Sequence, residues 1–197
     1  MADIRVLEQI RTQAGDQQRG VQWYQNQVKQ LVGTQYPATR LQQEYVENMT
    51  GRMLPGRMYL INYSNPIGKG TPALPYYDMF PLILPFNVES RHITAINFHY
   101  LHPASRIILL EKLSRFKIGD TDIQTRIRAD WGILSNFARF REVKASVKRY
   151  RKSQIKGRYL FIQPDDWTTA AVLPTEMFRG ASKQQVYLDS NRKMRQR

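Results

Sequence analysis

The chain has 197 residues, with 30 Lys and Arg against 16 Asp and Glu for a net charge of +14, and no cysteine. That length supports one well-formed core, and the missing thiols exclude disulfides and thiolate metal sites. No apolar run approaches the about 20 residues that a membrane helix needs, and the N-terminal MADIRVLEQIRTQAG lacks the apolar centre of a signal peptide.

In chain order, Ile4, Leu7 and Ile10 fall at near-helical spacing within Asp3–Gln13, and after the break at Gly15–Gly20 the pattern resumes with Val21, Tyr24, Val28, Leu31 and Val32. These predict two amphipathic helices. From Gly33 to Gly56 the signals mix, with Pro37, Gly51 and Pro55 around a short helix at Thr39–Met49, which reads as a mobile arm or connector. Residues 1–55 are thus expected to be an N-terminal helical arm. Arg57–Tyr63 alternates as a strand, and Ser64-Asn65-Pro66 with Gly68 and Gly70 forms a breaker-rich loop.

Tyr76–Leu113 is the densest apolar and aromatic stretch. Pro75, Pro81 and Pro85 forbid a long helix through its first part, whereas its Val, Ile, Phe and Tyr suit a pleated surface. The stretch predicts strands at Phe80–Phe86 and His92–Leu101, joined by the Asn87–Arg91 turn. The second should be central, because Ile93 and Ala95 on one face and Ile96 and Phe98 on the other are all apolar. Pro103 suits a helix's first turn, with Ile107, Ile108, Leu110, Leu113 and Phe116 as its buried stripe.

Gly119–Asp122 reads as a stop and an N-cap, and Ile123, Ile127, Trp131, Leu134 and Phe137 carry the next helix. Arg139–Lys156 reads as a further helix, with Val143, Val147 and Tyr150 on one face and Lys144, Lys148, Arg151 and Lys152 on another. Gly157 ends it. Arg158–Ile162 is a fourth strand, Pro164–Ala171 a short helix or turn, and the basic tail from Gly180 should be disordered or order only against a partner. The fold class is α+β, a small antiparallel sheet or SH3-like barrel of about 4–5 short strands. The core is expected at 56–178 with a helical insertion at about 103–156, followed by a basic tail at 179–197.

His99 and His102, with Asp78 and Glu111 nearby, raise a metal site, but the chain holds only three histidines. His99 reads better as a hydrogen-bonded core side chain, and His102 as the start of the Pro103 helix. The pairs Asp165/Asp166 and Asp120/Asp122 have the residue types of acid–base or two-metal catalysis, yet each sits at a predicted helix start, where Asp is a good cap. No nucleophile elbow, phosphate-binding loop or dinucleotide fingerprint is present. These readings expect no enzyme, no metal and no cofactor.

The positive charge is uneven. From Arg139 onward 15 basic residues face only Glu142, Asp165, Asp166, Glu176 and Asp189, so +10 of the +14 lies in the last third. Such asymmetry points to a polyanionic partner. The candidate contacts are Arg141, Lys144, Lys148, Arg149, Arg151, Lys152 and Lys156, with Arg192, Lys193 and Arg195 in the tail. Nothing resembles a base-reading module, so binding to double-stranded DNA should be sequence-independent and salt-sensitive.

Trp23-Tyr24, GRMYLINY at Gly56–Tyr63, LPYYDMFPLIL at Leu74–Leu84, INFHYLHP at Ile96–Pro103, RYLFIQPDDWTTAAVLPTEMF at Arg158–Phe178 and VYLDS at Val186–Ser190 together resemble a family of small virion proteins. Its members come from large contractile-tailed phages of the T-even type. The likeness spans most of the chain and implies a DNA end protector, or a structural protein of the particle. It implies a virion location, synthesis in the host bacterial cytoplasm, other virion proteins as partners, several copies in a symmetric assembly, and no membrane.

Three readings follow. The first is a non-enzymatic virion protein that captures DNA ends or other polyanions electrostatically. The second is a structural component of the tail, baseplate or neck, anchored by Arg and aromatic residues between other subunits. The third and weakest is a metal-dependent nuclease using Asp165 and Asp166.

Overall fold

The structure is a computed structural model describing residues 5–15, 17, 19–64, 74–114 and 141–195. Apolar residues at helical spacing form α1 (Val6–Ala14) and α2 (Val21–Val32), and α3 (Ala38–Glu44) follows. Then come the strands β1 (Met49–Thr50), β2 (Met58–Tyr63), β3 (Tyr77–Asp78), β4 (Leu82–Val88) and β5 (His92–Asn97). After β5 lie α4 (Pro103–Ser114), α5 (Arg141–Lys144), β6 (Val147–Arg151) and β7 (Ile155–Ile162). The chain closes with α6 (Trp167–Val172), β8 (Phe178–Arg179) and α7 (Lys183–Arg195). No helix among the described residues is long and apolar enough to cross a membrane.

The α+β expectation holds, with a larger sheet than four or five strands. Six strands pair antiparallel in the order β1-β7-β2-β4-β5-β6, and β3 pairs with β8 in a small second sheet. No ladder joins the two ends of the large sheet among the described residues, so the barrel does not close. The sheet is nevertheless strongly curled, for a simple reason of reach. β6 and β7 stand four places apart, about 19 Å in a flat sheet. Only the 3₁₀ turn Lys152–Gln154 connects them, and the four residue-to-residue steps from Arg151 to Ile155 span at most about 14 Å. Curling brings the inner face onto itself: Tyr59, Ile61, Tyr63, Ile83, Ile93, Ala95 and Tyr150 are buried there together, and Tyr63 of β2 meets Tyr150 of β6 edge to face at 4.9 Å between ring centroids. Pro85, which cannot donate to a ladder, sits where the β4–β5 register shifts.

The outer face carries Met58, Leu60, Leu82, Leu84, Ile96, Leu160 and Ile162 and packs against the helices in one continuous core. α6, with Thr169 to Val172 all buried, is the helix on which α1, α2 and α4 meet. Residues 33–56 are not a loose connector, because Tyr36, Ala38, Leu41 and Tyr45 join that core, and Tyr45 Oη accepts a hydrogen bond of 2.9 Å from the Leu7 amide. In α4, Ile107, Leu109 and Leu110 are buried, but Ile108 faces solvent. Phe116, Asp120, Asp122 and the helix expected at Ile123–Phe137 lie outside the described residues.

The expected disordered tail is instead the helix α7. Ser182 caps it, its Oγ accepting from the Gln185 amide at 3.2 Å, and Val186 and Ser190 are buried one turn apart. The anchor is Arg106 of α4, which is fully buried. Its Nε donates to the Leu101 carbonyl at 2.8 Å, Nη1 to the Ala171 carbonyl at 2.9 Å and Nη2 to Tyr187 Oη at 2.9 Å. Tyr187 in turn donates to Glu176 at 2.9 Å, and Glu176 lies 3.4 Å from both Arg106 and Lys183. One guanidinium therefore ties together α4, the end of α6 and α7. Truncating one partner of such a buried charge pair strands the other, so Arg106→Met should cost about 3–5 kcal/mol, read from chemical denaturation.

Burial alone would raise the Glu176 pKa, but Arg106, His99 and Lys183 outweigh it and hold the carboxyl down to about 2 from 4.5. A depressed folded-state pKa stabilises the protein above its ordinary value and loses that contribution as protons bind. Stability should therefore fall as pH drops from 4.5 towards 2, and Glu176→Gln should flatten this acid limb in denaturation curves taken across that range.

Candidate nucleic-acid interface

The continuous basic helix expected over Arg139–Lys156 does not form. Arg141 and Lys144 belong to α5, which ends where the Ser146 amide and hydroxyl both donate to the Val143 carbonyl, at 2.9 and 2.7 Å. The Ser146 carbonyl then accepts from the Asn97 amide at 2.8 Å, and the chain enters β6. The open edge of β5 needs a partner for its backbone groups, and this demand overrides the helical spacing of Val143, Val147 and Tyr150.

As a strand, β6 divides its cations between two faces. Lys148, opposite Ala95, and Tyr150, opposite Ile93, point to the inner face. Arg149 and Arg151, opposite Thr94 and His92, are exposed on the other. Arg149 is held 3.4 Å from Glu89 in the β4–β5 turn, where it contacts a carboxylate before any external partner. Lys152 lies in the following 3₁₀ turn, its amide bonded to the Arg91 carbonyl at 3.0 Å, and Lys156 is exposed on β7.

Two sequence-distant groups of cations converge. α5 packs against α7, and Arg192, Lys193 and Arg195 fill the last turn of that helix, where positive charge also suits the helix dipole. Arg192 lies 3.8 Å from Asp189, but Lys144, Lys148, Lys193 and Arg195 have no ion-pair partner among the described residues. Lys148 is the most constrained of them. Its Nζ sits 3.8 Å from the centroid of Tyr100, a ring itself stacked with Tyr76 and met edge-on by Phe178. Burial of the ammonium, helped by repulsion from Lys193, brings its pKa down to about 8 from 10.5. Such a lysine gains most from an arriving anion, which replaces the water that burial removed.

The other constellations resolve into structure. His99 is fully buried, its Nδ1 at 2.9 Å from Asp78 and its Nε2 at 3.2 Å from Thr175 Oγ1, while Asn97 donates to the same Asp78 at 3.0 Å. The Asp–His–Thr order resembles a hydrolytic triad, but all three side chains are buried beyond a dissolved substrate's reach, and the network joins β3, β5 and the segment before β8. His102 starts α4, its carbonyl accepting from the Ser105 and Arg106 amides. Asp166 makes no side-chain cap; its carboxylate is buried and lies 3.3 Å from Arg11 of α1. Asp165 is exposed. No group of three or more His and carboxylate residues suited to a metal occurs among the described residues.

A family model for the phage T4 terminal DNA protecting protein matches residues 4–194, nearly the whole chain. The chain belongs to that terminal DNA protecting family. No curated protein and no solved structure matches the chain. All the basic residues named above except Arg195 lie within the matched range, and the family's description speaks of protecting DNA, without naming a reaction. What sequence reasoning missed in this member of the terminal DNA protecting family is the convergence of Lys148 with Lys193. The available signal was the N-cap Ser182 with Val186 and Ser190 at helical spacing, which predicts a folded α7.

Lys148 also yields a stability prediction. Its folded-state pKa is lowered, so the unfolded chain binds more protons between about 8 and 10.5, and stability rises with pH there. Buried tyrosines with raised pKa values oppose this above about 10. Urea denaturation should thus show a gain from pH 8 to about 10, and Lys148→Met should remove that gain.

Proposed function

We propose that this protein binds double-stranded DNA without reading its sequence, as a non-enzymatic protector of phage DNA termini carried in the virion. The observation that carries this reading is the single cationic surface made where α5, β6 and the last turn of α7 meet. Lys144, Lys148, Lys193 and Arg195 stand on it without carboxylate partners among the described residues, and Arg192 extends it. Membership of the terminal DNA protecting family supports the choice of DNA over another polyanion. Capture proceeds by phosphate neutralisation and counterion release, with Lys148 regaining its full charge as a phosphate approaches. The interface offers lysine and arginine side chains, which agrees with contacts to the phosphate backbone.

The test is a salt titration of duplex binding by fluorescence anisotropy. The logarithm of the affinity should fall linearly with the logarithm of salt concentration, each phosphate contact adding roughly 0.9 to the slope. Lys144 and Lys193 are exposed, so Lys144→Glu with Lys193→Glu should leave the fold intact, as judged by thermal melting, and weaken binding by at least about tenfold at low salt. Unchanged affinity in that double variant would remove this surface as the contact.

A further inference from the structure

On the other edge of the sheet the chain forms a cleft of about 490 Å³ that includes Glu47, Thr50, Arg52, Arg57, Tyr59 and Phe161 in its wall. Its construction is specific. Arg52 and Arg57 are exposed, and neither makes an ion pair among the described residues. The one carboxylate in the wall, Glu47, is already bound by Arg5. Thr50 Oγ1 accepts from the Arg52 amide at 3.1 Å and fixes the turn that presents Arg52, while Tyr59 Oη accepts from the Leu54 amide at 3.0 Å and fixes the cleft floor. The Arg57 guanidinium lies over the face of Phe161, 5.5 Å from its centroid, and Phe161 packs on Tyr59 at 5.9 Å.

A planar Arg over the face of a Phe, with a tilted Tyr beside it and a second Arg that makes no ion pair among the described residues, has the chemistry for a flat ring with an attached phosphate. We propose that this cleft receives the terminal nucleotide of a DNA end, its base stacking on the Arg57–Phe161 layer and its phosphate meeting Arg52. The choice of a terminus follows from geometry. Inside a duplex both faces of every base are covered, so reaching the layer would require unstacking at a cost of a few kcal/mol. At an end the outer face of the last base is bare, and stacking it on an aromatic or guanidinium plane is favourable. At about 490 Å³ the cleft has room for one nucleotide. This inference rests on the DNA-binding reading above and adds what that reading lacks, a means of telling an end from the middle of the molecule.

The experiment compares the full-length protein on a short blunt duplex and on the same duplex sealed at both ends by hairpin loops, at one salt concentration. The open duplex should bind at least about tenfold tighter. Arg52→Glu with Arg57→Glu should bring the ratio of the two affinities close to one while binding of the sealed duplex persists. Phe161→Leu keeps apolar bulk against Tyr59 and should lower the same ratio. Equal binding of the two DNAs by the wild type would overturn the cleft assignment and leave the cationic surface standing. A preference for open ends retained in both variants would overturn it equally. Binding to neither DNA would overturn the DNA-binding reading, and this inference with it.

Discussion

Three residues join two strands that stand four places apart, and much of the architecture follows from that reach. Lys152–Gln154 cannot bridge a flat sheet from β6 to β7, so the sheet curls, and its inner face finds cover in itself where a second helical layer would otherwise be needed. The curl explains why both faces of β5 are apolar. Ile93 and Ala95 fill the inside of the curl, whereas Ile96 meets the helices. It also explains the concentration of tyrosine on the inner face. Tyr63 and Tyr150 meet edge to face across the curl, Tyr59 packs against Phe161 of β7, and the Tyr59 hydroxyl still reaches a backbone partner at Leu54.

The outer layer depends on a different device, the buried guanidinium of Arg106. An apolar residue there would take the buried donor away from both the Leu101 carbonyl, just before α4, and the Ala171 carbonyl, at the end of α6. Arg106 meets both and still has Nη2 free for Tyr187, so the C-terminal helix docks in one register. This docking has an electrostatic consequence. It delivers Lys193 to the neighbourhood of Lys148, close enough for each charge to disfavour the other. Like charges are held together only because hydrophobic burial at Val186 and the Arg106 network oppose their repulsion.

The cations of β6 therefore serve two ends. On an edge strand they keep the sheet from pairing with another edge, a role that any exposed β-strand needs filled. With α7 alongside, Lys148 becomes part of a positive surface larger than either segment makes alone. The cleft at the opposite edge differs in kind, because two guanidinium groups and an aromatic pair share one recess. The proposed division of labour is electrostatic holding on one edge and recognition of a terminus on the other.

Local sequence carried much of the fold. The periodicity of Val21 to Val32 and the alternation of Met58–Tyr63 are each set by neighbours within one or two turns, and Pro103 marks a helix start wherever it stands. His99 was legible as a core residue because the chain offers too few partners for a metal, and the charge asymmetry already pointed to a polyanion. The α+β class followed from these elements. The tertiary structure decided what depends on distant contacts: Val147–Arg151 is a strand because β5 has an unpaired edge, although its apolar spacing also suits a helix. It decided that the tail folds, because Tyr187 has Arg106 to bind, and that Asp166 pairs with Arg11 of a helix some 155 residues away in sequence. It decided, too, which lysines meet. Composition sets how much positive charge the chain carries, but a field depends on distance, and only the packed fold sets the distances.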